Sequence, residues 1–172
     1  MENFFSIWLV PQDDDKLYLE KVIFKLANEN YSPAFTPHLT ICGDITITLD
    51  KLKSAFDNAF NQAKPFKIKK TGVGQSEDFF KTVYIEFEIN QELRDLFLKL
   101  SEGTDKRLIE NFKPHMSLIY KKMPKDEKLA IIDKLYLKNE YTIGAAYLTA
   151  PKKGKRDWYD VKDWRILYKK RF

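Results

Sequence analysis

Histidine is nearly missing from this chain, with two in 172 residues, and cysteine is scarcer still. Cys42 stands alone, which excludes an intramolecular disulfide framework and fits a reducing compartment. No apolar run approaches the roughly 20 residues of a membrane span. The apolar opening at residues 4–10 follows Glu2 and is cut short by Pro11, unlike a secretory leader, so a cytoplasmic protein with no membrane partner is expected. No Gly/Ser-rich linker divides the chain, and its 32% charged residues are interspersed, which excludes a long disordered tail. What is present suits a packed globular domain: 44% hydrophobic residues, 15% of the chain aromatic.

The net charge of +5 is a modest basic bias. Lys64, Lys67, Lys69 and Lys70 form one cluster; Lys152, Lys153, Lys155 and Arg156 form another. Such clusters either attract a phosphorylated substrate or simply decorate solvated loops and strand ends. Neither has the length or the interleaved aromatics of a nucleic-acid groove.

The two histidines share one phrase. His38 lies in Pro37-His38-Leu39-Thr40-Ile41 and His115 in Pro114-His115-Met116-Ser117-Leu118. Each reads proline, histidine, apolar, hydroxyl, apolar. Imidazole exchanges a proton near neutrality, and a hydroxyl donates a hydrogen bond to an anion. Read as strands over 36–44 and 112–120, His38 and Thr40 share one face, as do His115 and Ser117. Leu39, Ile41, Met116 and Leu118 then anchor the opposite faces on a core. A single H-x-T is weak, because a lone strand histidine is usually a hydrogen-bonded structural residue. Two copies that use every histidine in the chain point to one site built from both.

The histidines are 77 residues apart, close to half the chain, and the pattern around them repeats at that offset. Residues 4–10 (FFSIWLV) and 81–87 (KTVYIEF) both read as strands. A helix capped by Asp13–Asp15 carries Leu19, Val22, Ile23 and Leu26; its counterpart opens at Asn90 and carries Leu93, Leu96, Phe97 and Leu100. After the histidine strands, Thr48 precedes a helix with Leu52, Phe56, Ala59 and Phe60. Pro124 begins another, with Leu129, Ile132, Leu135 and Tyr136. Strands at 66–73 and 141–148 follow, and an aromatic strand at 158–168 ends the chain. Strand, helix, histidine strand, helix, strand is thus written twice, predicting one compact α+β domain of two pseudo-symmetric lobes, approximately 1–76 and 77–172.

Paired H-x-[ST]-x motifs in a duplicated chain of this length resemble the two-histidine (2H) phosphoesterase superfamily. FFSIWLVP, FTPHLTICGDI, DFFKTVYIEF and KPHMSLIY most resemble its cyclic phosphodiesterase-like branch. The resemblance implies two antiparallel sheets around a central cleft, helices outside, and a monomer. It implies metal-independent hydrolysis of cyclic phosphates without cofactors, on nucleoside 2′,3′-cyclic phosphate or ADP-ribose 1″,2″-cyclic phosphate. His38, Thr40, His115 and Ser117 become the catalytic set, and Trp8, Phe80 and Tyr120 the aromatics against the substrate. Trp8 shares parity with Ser6, opposite Phe5, Ile7 and Leu9. Phe80 shares parity with Thr82 and Tyr84, with Phe79 competing for its role. Strict alternation from Ser117 puts Tyr120 on the wrong face, so it reaches the cleft only if the strand ends or bulges there.

Opening a cyclic phosphodiester with water takes a base, an acid and donors to the phosphoryl oxygens; two imidazoles and two hydroxyls supply these. Other readings compete. The same four residues would serve an RNA-end, 2′–5′ or cyclic-oligonucleotide phosphodiesterase with a short oligonucleotide substrate, and a nucleotide-binding module would keep the cleft without turnover. His38, Cys42 and Asp44 alternate onto one face, yet no zinc-like spacing follows, so no metal is expected. Cys42 as a nucleophile beside His38 gives way to the plainer reading of a small buried residue.

Overall fold

The computed structural model describes residues 4–104, 112–151 and 164–172. Lys152, Lys153, Lys155, Arg156 and the first part of the expected 158–168 strand lie outside the described residues. In chain order the elements are β1 (Phe5–Pro11), α1 (Asp13–Asn30), β2 (Leu39–Ile45), α2 (Leu49–Phe60) and β3 (Phe66–Gln75). A 3-10 turn (Phe79–Lys81) precedes β4 (Val83–Phe87) and α3 (Gln91–Thr104). β5 (His115–Ile119), α4 (Lys125–Ile132), β6 (Glu140–Pro151) and β7 (Trp164–Arg171) complete the order. Among the described residues no helix is long and apolar enough to cross a membrane.

The expected pair of separate sheets is replaced by one pairing circuit. Antiparallel strands run β1-β2-β5-β4-β3-β6, and β6 pairs back onto β1, closing six strands while β7 extends from β6. One apolar row crosses all six: Ala146, Leu9, Leu39, Met116, Ile85 and Val73 are successive cross-strand partners. All but the half-buried Val73 are fully buried, and the row runs through the main core. The length of β6 permits closure. Its start pairs with β3 through residues 140–143, its later part pairs with β7, and its other edge pairs with β1. The β2–β5 seam rests on one residue pair, Leu39 with Met116.

Helices from each half pack on the other half: α1 against β5, α3 against β2, and α2 against α3. The buried stripe of α3 is the one the spacing predicts, Leu93, Leu96, Phe97 and Leu100; in α1 Leu19, Ile23 and Leu26 are buried as expected, Val22 is only partly buried, and Ala27 joins them. Asn90 accepts from the Leu93 N–H at 2.9 Å and so caps α3. The aspartates of α1 sit in the first turn rather than at the cap, which is Gln12 without a side-chain bond. There they complement the positive end of the helix dipole.

α4 departs most from expectation. It stops at Ile132, leaves Leu129 and Tyr136 exposed while Ile132 and Leu135 pack partly buried on the core, and fully buries Lys128, with 1% of that residue accessible. The ammonium is satisfied inside the protein, donating to the Ser76 carbonyl at 2.8 Å and pairing with Glu77 at 2.5 Å. Hydrogen-bond satisfaction lets a lysine take the buried place on this helix.

Candidate active site

β2 and β5 begin at Leu39 and His115, so each proline of the repeated phrase stands ahead of its strand and removes no ladder donor. Trp8 pairs with Thr40, and Tyr84 pairs with Ser117. His38, Thr40 and His115 line one cleft of about 740 Å³ together with Trp8, Phe80 and Tyr120.

Each imidazole is oriented the same way. His38 Nδ1 lies 2.7 Å from the Thr36 carbonyl, and His115 Nδ1 lies 3.0 Å from the Lys113 carbonyl. A carbonyl only accepts, so Nδ1 carries the proton in both rings, and Nε2 of the neutral ring holds the lone pair. His38 stacks on the Trp8 indole, ring centroids 3.8 Å apart and 12° from parallel, and Phe35 meets it edge-on at 6.4 Å. Tyr84 meets His115 edge-on at 5.5 Å.

Burial holds His38 well below the ordinary range, to about 4, against the raising effect of its bond to Thr36; proximity to His115 lowers it further. His115 is also pushed down by burial, opposed by its bond to Lys113. Lys81 lowers it further, while Asp78 and Glu86 raise it. Both rings are therefore neutral near pH 7 in the ligand-free protein. A neighbouring anion favours the charged form of an imidazole.

Ser117 differs from Thr40. It is buried, and its hydroxyl donates to the Phe80 carbonyl at 2.6 Å, whereas Thr40 is half-buried on the cleft wall. Phe80 itself is in the 3-10 turn rather than in the strand predicted from DFFKTVYIEF, because Asp78 accepts from the Phe80 N–H at 3.0 Å and closes the turn. Tyr120 does reach the cleft. β5 ends at Ile119, so alternation no longer governs Tyr120, whose ring stacks on Phe35 at 3.7 Å and meets Phe80 at 5.2 Å.

The alternation of His38, Cys42 and Asp44 fails at irregularities in the β1–β2 register. Trp8 pairs with Thr40, but Ile7 pairs with Cys42 and Phe5 with Ile45. Cys42 is thereby carried into the main core, away from the cleft, and Asp44 takes a left-handed backbone, φ 52°. Among the described residues no group of three or more His, Cys, Asp or Glu side chains gathers as metal ligands.

Sequence reasoning passed over Tyr84 as a companion of His115. The 77-residue offset matches Trp8 to Ile85, whereas the strand register sets Trp8 beside Thr40 and Tyr84 beside Ser117. The glycine opposite was a signal: a Cβ on Gly74 would lie 2.6 Å from the Tyr84 ring, so the ring occupies the space of a missing side chain. Lys128 gave no signal, because an exposed lysine and a buried one look alike in a helix.

A family model for cyclic phosphodiesterase-like protein matches residues 4–170. A cyclic phosphodiesterase of Arabidopsis thaliana is 23% identical over 135 residues, 78% of this chain and 75% of that protein. The structure of E. coli LigT complexed with 3′-AMP superimposes with a TM-score of 0.59 at 13% identity, covering 100% of this chain and 99% of LigT. LigT complexed with NADP+ gives 0.59 at 14% identity, covering 99% and 98%.

Proposed function

The chain belongs to the cyclic phosphodiesterase-like protein family, and from that premise we propose that it hydrolyses cyclic phosphodiesters by metal-independent acid–base catalysis. The substrate is a nucleoside 2′,3′-cyclic phosphate or ADP-ribose 1″,2″-cyclic phosphate. One observation carries the reading: both imidazoles of the chain line the same cleft, each with Nδ1 tied to the carbonyl two residues before it. That leaves two Nε2 atoms for proton transfer, and acid–base work needs two such positions. The nucleotides held by LigT support a nucleotide substrate.

In this reaction the substrate's negative charge draws a proton onto one imidazole, and the other remains neutral. The neutral ring takes a proton from water as the water oxygen bonds to phosphorus. The imidazolium gives its proton to the sugar oxygen as the phosphorus–oxygen ester bond breaks. A phosphomonoester is left, on the 2′-oxygen for a 2′,3′-cyclic substrate. Thr40 donates to a phosphoryl oxygen on which charge grows. Ser117 does the same once its hydroxyl turns from the Phe80 carbonyl. Trp8 sets the ring plane of His38, and Phe80 and Tyr120 offer faces to the sugar or base.

The test is a substrate panel in chelator: nucleoside 2′,3′-cyclic phosphates, ADP-ribose cyclic phosphate and 2′–5′ oligonucleotides, with product identity by phosphorus NMR. Turnover of a cyclic phosphate that falls about 10²–10⁴-fold in each of His38→Ala and His115→Ala supports the reading. Binding without product after long incubation, or full activity in either variant, overturns it.

A further inference from the structure

The cleft face of the sheet continues beyond the two histidines. Thr40 on β2, Trp8 on β1, Tyr147 on β6 and Lys169 on β7 are successive cross-strand partners, so their side chains stand in one row on one face. In the next row Val10, Ala145 and Arg171 are partners, which puts Arg171 on that face as well. Trp8, Val10 and Ala145, with Tyr147 and Trp164 packed against them, form an apolar cluster distinct from the main core. Trp164 lies 5.5 Å from Trp8, ring to ring, and lines the cleft that holds His38 and His115.

The far end of this row is cationic. The Lys169 ammonium lies over the Tyr147 ring, 5.0 Å from its centroid, leaning back toward the cleft. Lys169 and Arg171 are exposed, and neither forms an ion pair among the described residues. Three inter-strand steps separate Thr40 from Lys169, roughly 14 Å between backbones, and the lysine side chain shortens that gap. Aromatic faces followed by unpaired cations are what a base or sugar followed by a phosphate requires.

Building on the proposed phosphodiester site, we propose that Trp8, Tyr147, Trp164, Lys169 and Arg171 form a second subsite that takes another phosphate of the same substrate, beyond the sugar bearing the reacting ring. The preferred substrate is then more than a bare nucleoside cyclic phosphate. Its second phosphate is carried on the 5′-oxygen of that sugar, either as a terminal phosphoryl group or within a link to a further nucleotide.

Calorimetric titration of the full chain with adenosine 3′-monophosphate, adenosine 3′,5′-bisphosphate and a dinucleotide ending in a 3′-phosphate tests this. At least one of the two larger ligands is expected to bind about tenfold more tightly than the monophosphate, a preference of about 1.4 kcal/mol. Lys169→Glu/Arg171→Glu should abolish that preference and leave monophosphate affinity unchanged, and the charge-conserving Lys169→Arg/Arg171→Lys should retain it. Preference for the bisphosphate alone identifies a terminal phosphate; preference for the dinucleotide identifies a chain end. Equal affinity for all three ligands in the native protein, or a preference that survives charge reversal, overturns the subsite. Absence of turnover with any cyclic phosphate would sink the catalytic reading while leaving this charge-dependent preference measurable.

Discussion

The hydroxyl of Ser117 donates its only proton to the carbonyl of Phe80, at 2.6 Å, while its counterpart Thr40 stands on the cleft wall. The two halves of a repeated phrase are therefore not equivalent. One hydroxyl faces the cleft; the other holds down the turn that carries Glu77, Asp78, Phe79 and Phe80 along the cleft edge.

This asymmetry separates two variants. Thr40→Ala should reduce kcat/KM by about 10²–10³-fold, as for loss of one donor to a developing oxyanion, with little change in unfolding free energy. Ser117→Ala should reduce turnover and also cost about 0.5–1.5 kcal/mol of stability, because a part-buried hydrogen bond to the Phe80 carbonyl is lost. Denaturant titration beside steady-state kinetics distinguishes the two.

Burial of His38 makes stability depend on pH in one direction. The folded protein holds this ring at about 4, below the ordinary value of 6.5, so between those values the unfolded chain binds more protons. Unfolding free energy is then expected to rise with pH through that window and to fall, by roughly 3 kcal/mol for this group, as pH drops from 6.5 to 4. His38→Gln should flatten that part of the stability curve, read by denaturation at a series of pH values.

The same burial predicts the response to ligand. Inorganic phosphate in the cleft should raise both histidine values, and by linkage its affinity should increase as pH falls from 8 toward 5. Histidine ring NMR with and without phosphate reads this directly. Trp8→Ala, which uncovers His38, should raise the ligand-free value toward 6.5.

Lys128 ties α4 to the cleft-edge turn through Ser76 and Glu77. Its partner Glu77 is 84% exposed, so replacing the lysine leaves no buried carboxylate, and Lys128→Met should cost less stability than breaking a fully buried pair. The turn should loosen all the same. KM is expected to rise more than kcat falls, with Lys128→Arg restoring part of the loss. Equal kinetics in the native protein and Lys128→Met would remove Lys128 from any positioning role.

Turnover should persist in chelator at an unchanged rate. Loss of activity on exhaustive metal removal, restored by one divalent ion, would assign the chemistry to that ion instead of the two imidazoles.

Local periodicity made much of this readable from the chain. The helical stripes of α1 and α3 and the positions of the histidine phrases depend on neighbours three, four or two residues away, and these were legible. Register was not. Irregular pairing between β1 and β2 moved Cys42 into the core, and the same freedom matched Tyr84, rather than Ile85, to the role of Trp8. Phe80 left its predicted strand because one aspartate bond closed a turn, and Tyr120 reached the cleft because β5 ended one residue before it.

By itself, the sequence determined that two imidazole–hydroxyl pairs sit at the starts of two strands of an α+β chain, His38 one residue ahead of β2 and not inside the expected 36–44 strand, because side-chain chemistry and two-residue alternation are local properties. The tertiary structure decided that six strands close into one circuit and that both histidines line one cleft with Nδ1 of each against a backbone carbonyl. It also decided that Ser117 faces a carbonyl while Thr40 faces the cleft. Each of those outcomes depends on which distant backbone group lies opposite, and hydrogen-bond partners across strands are set by register and burial rather than by neighbours in the chain.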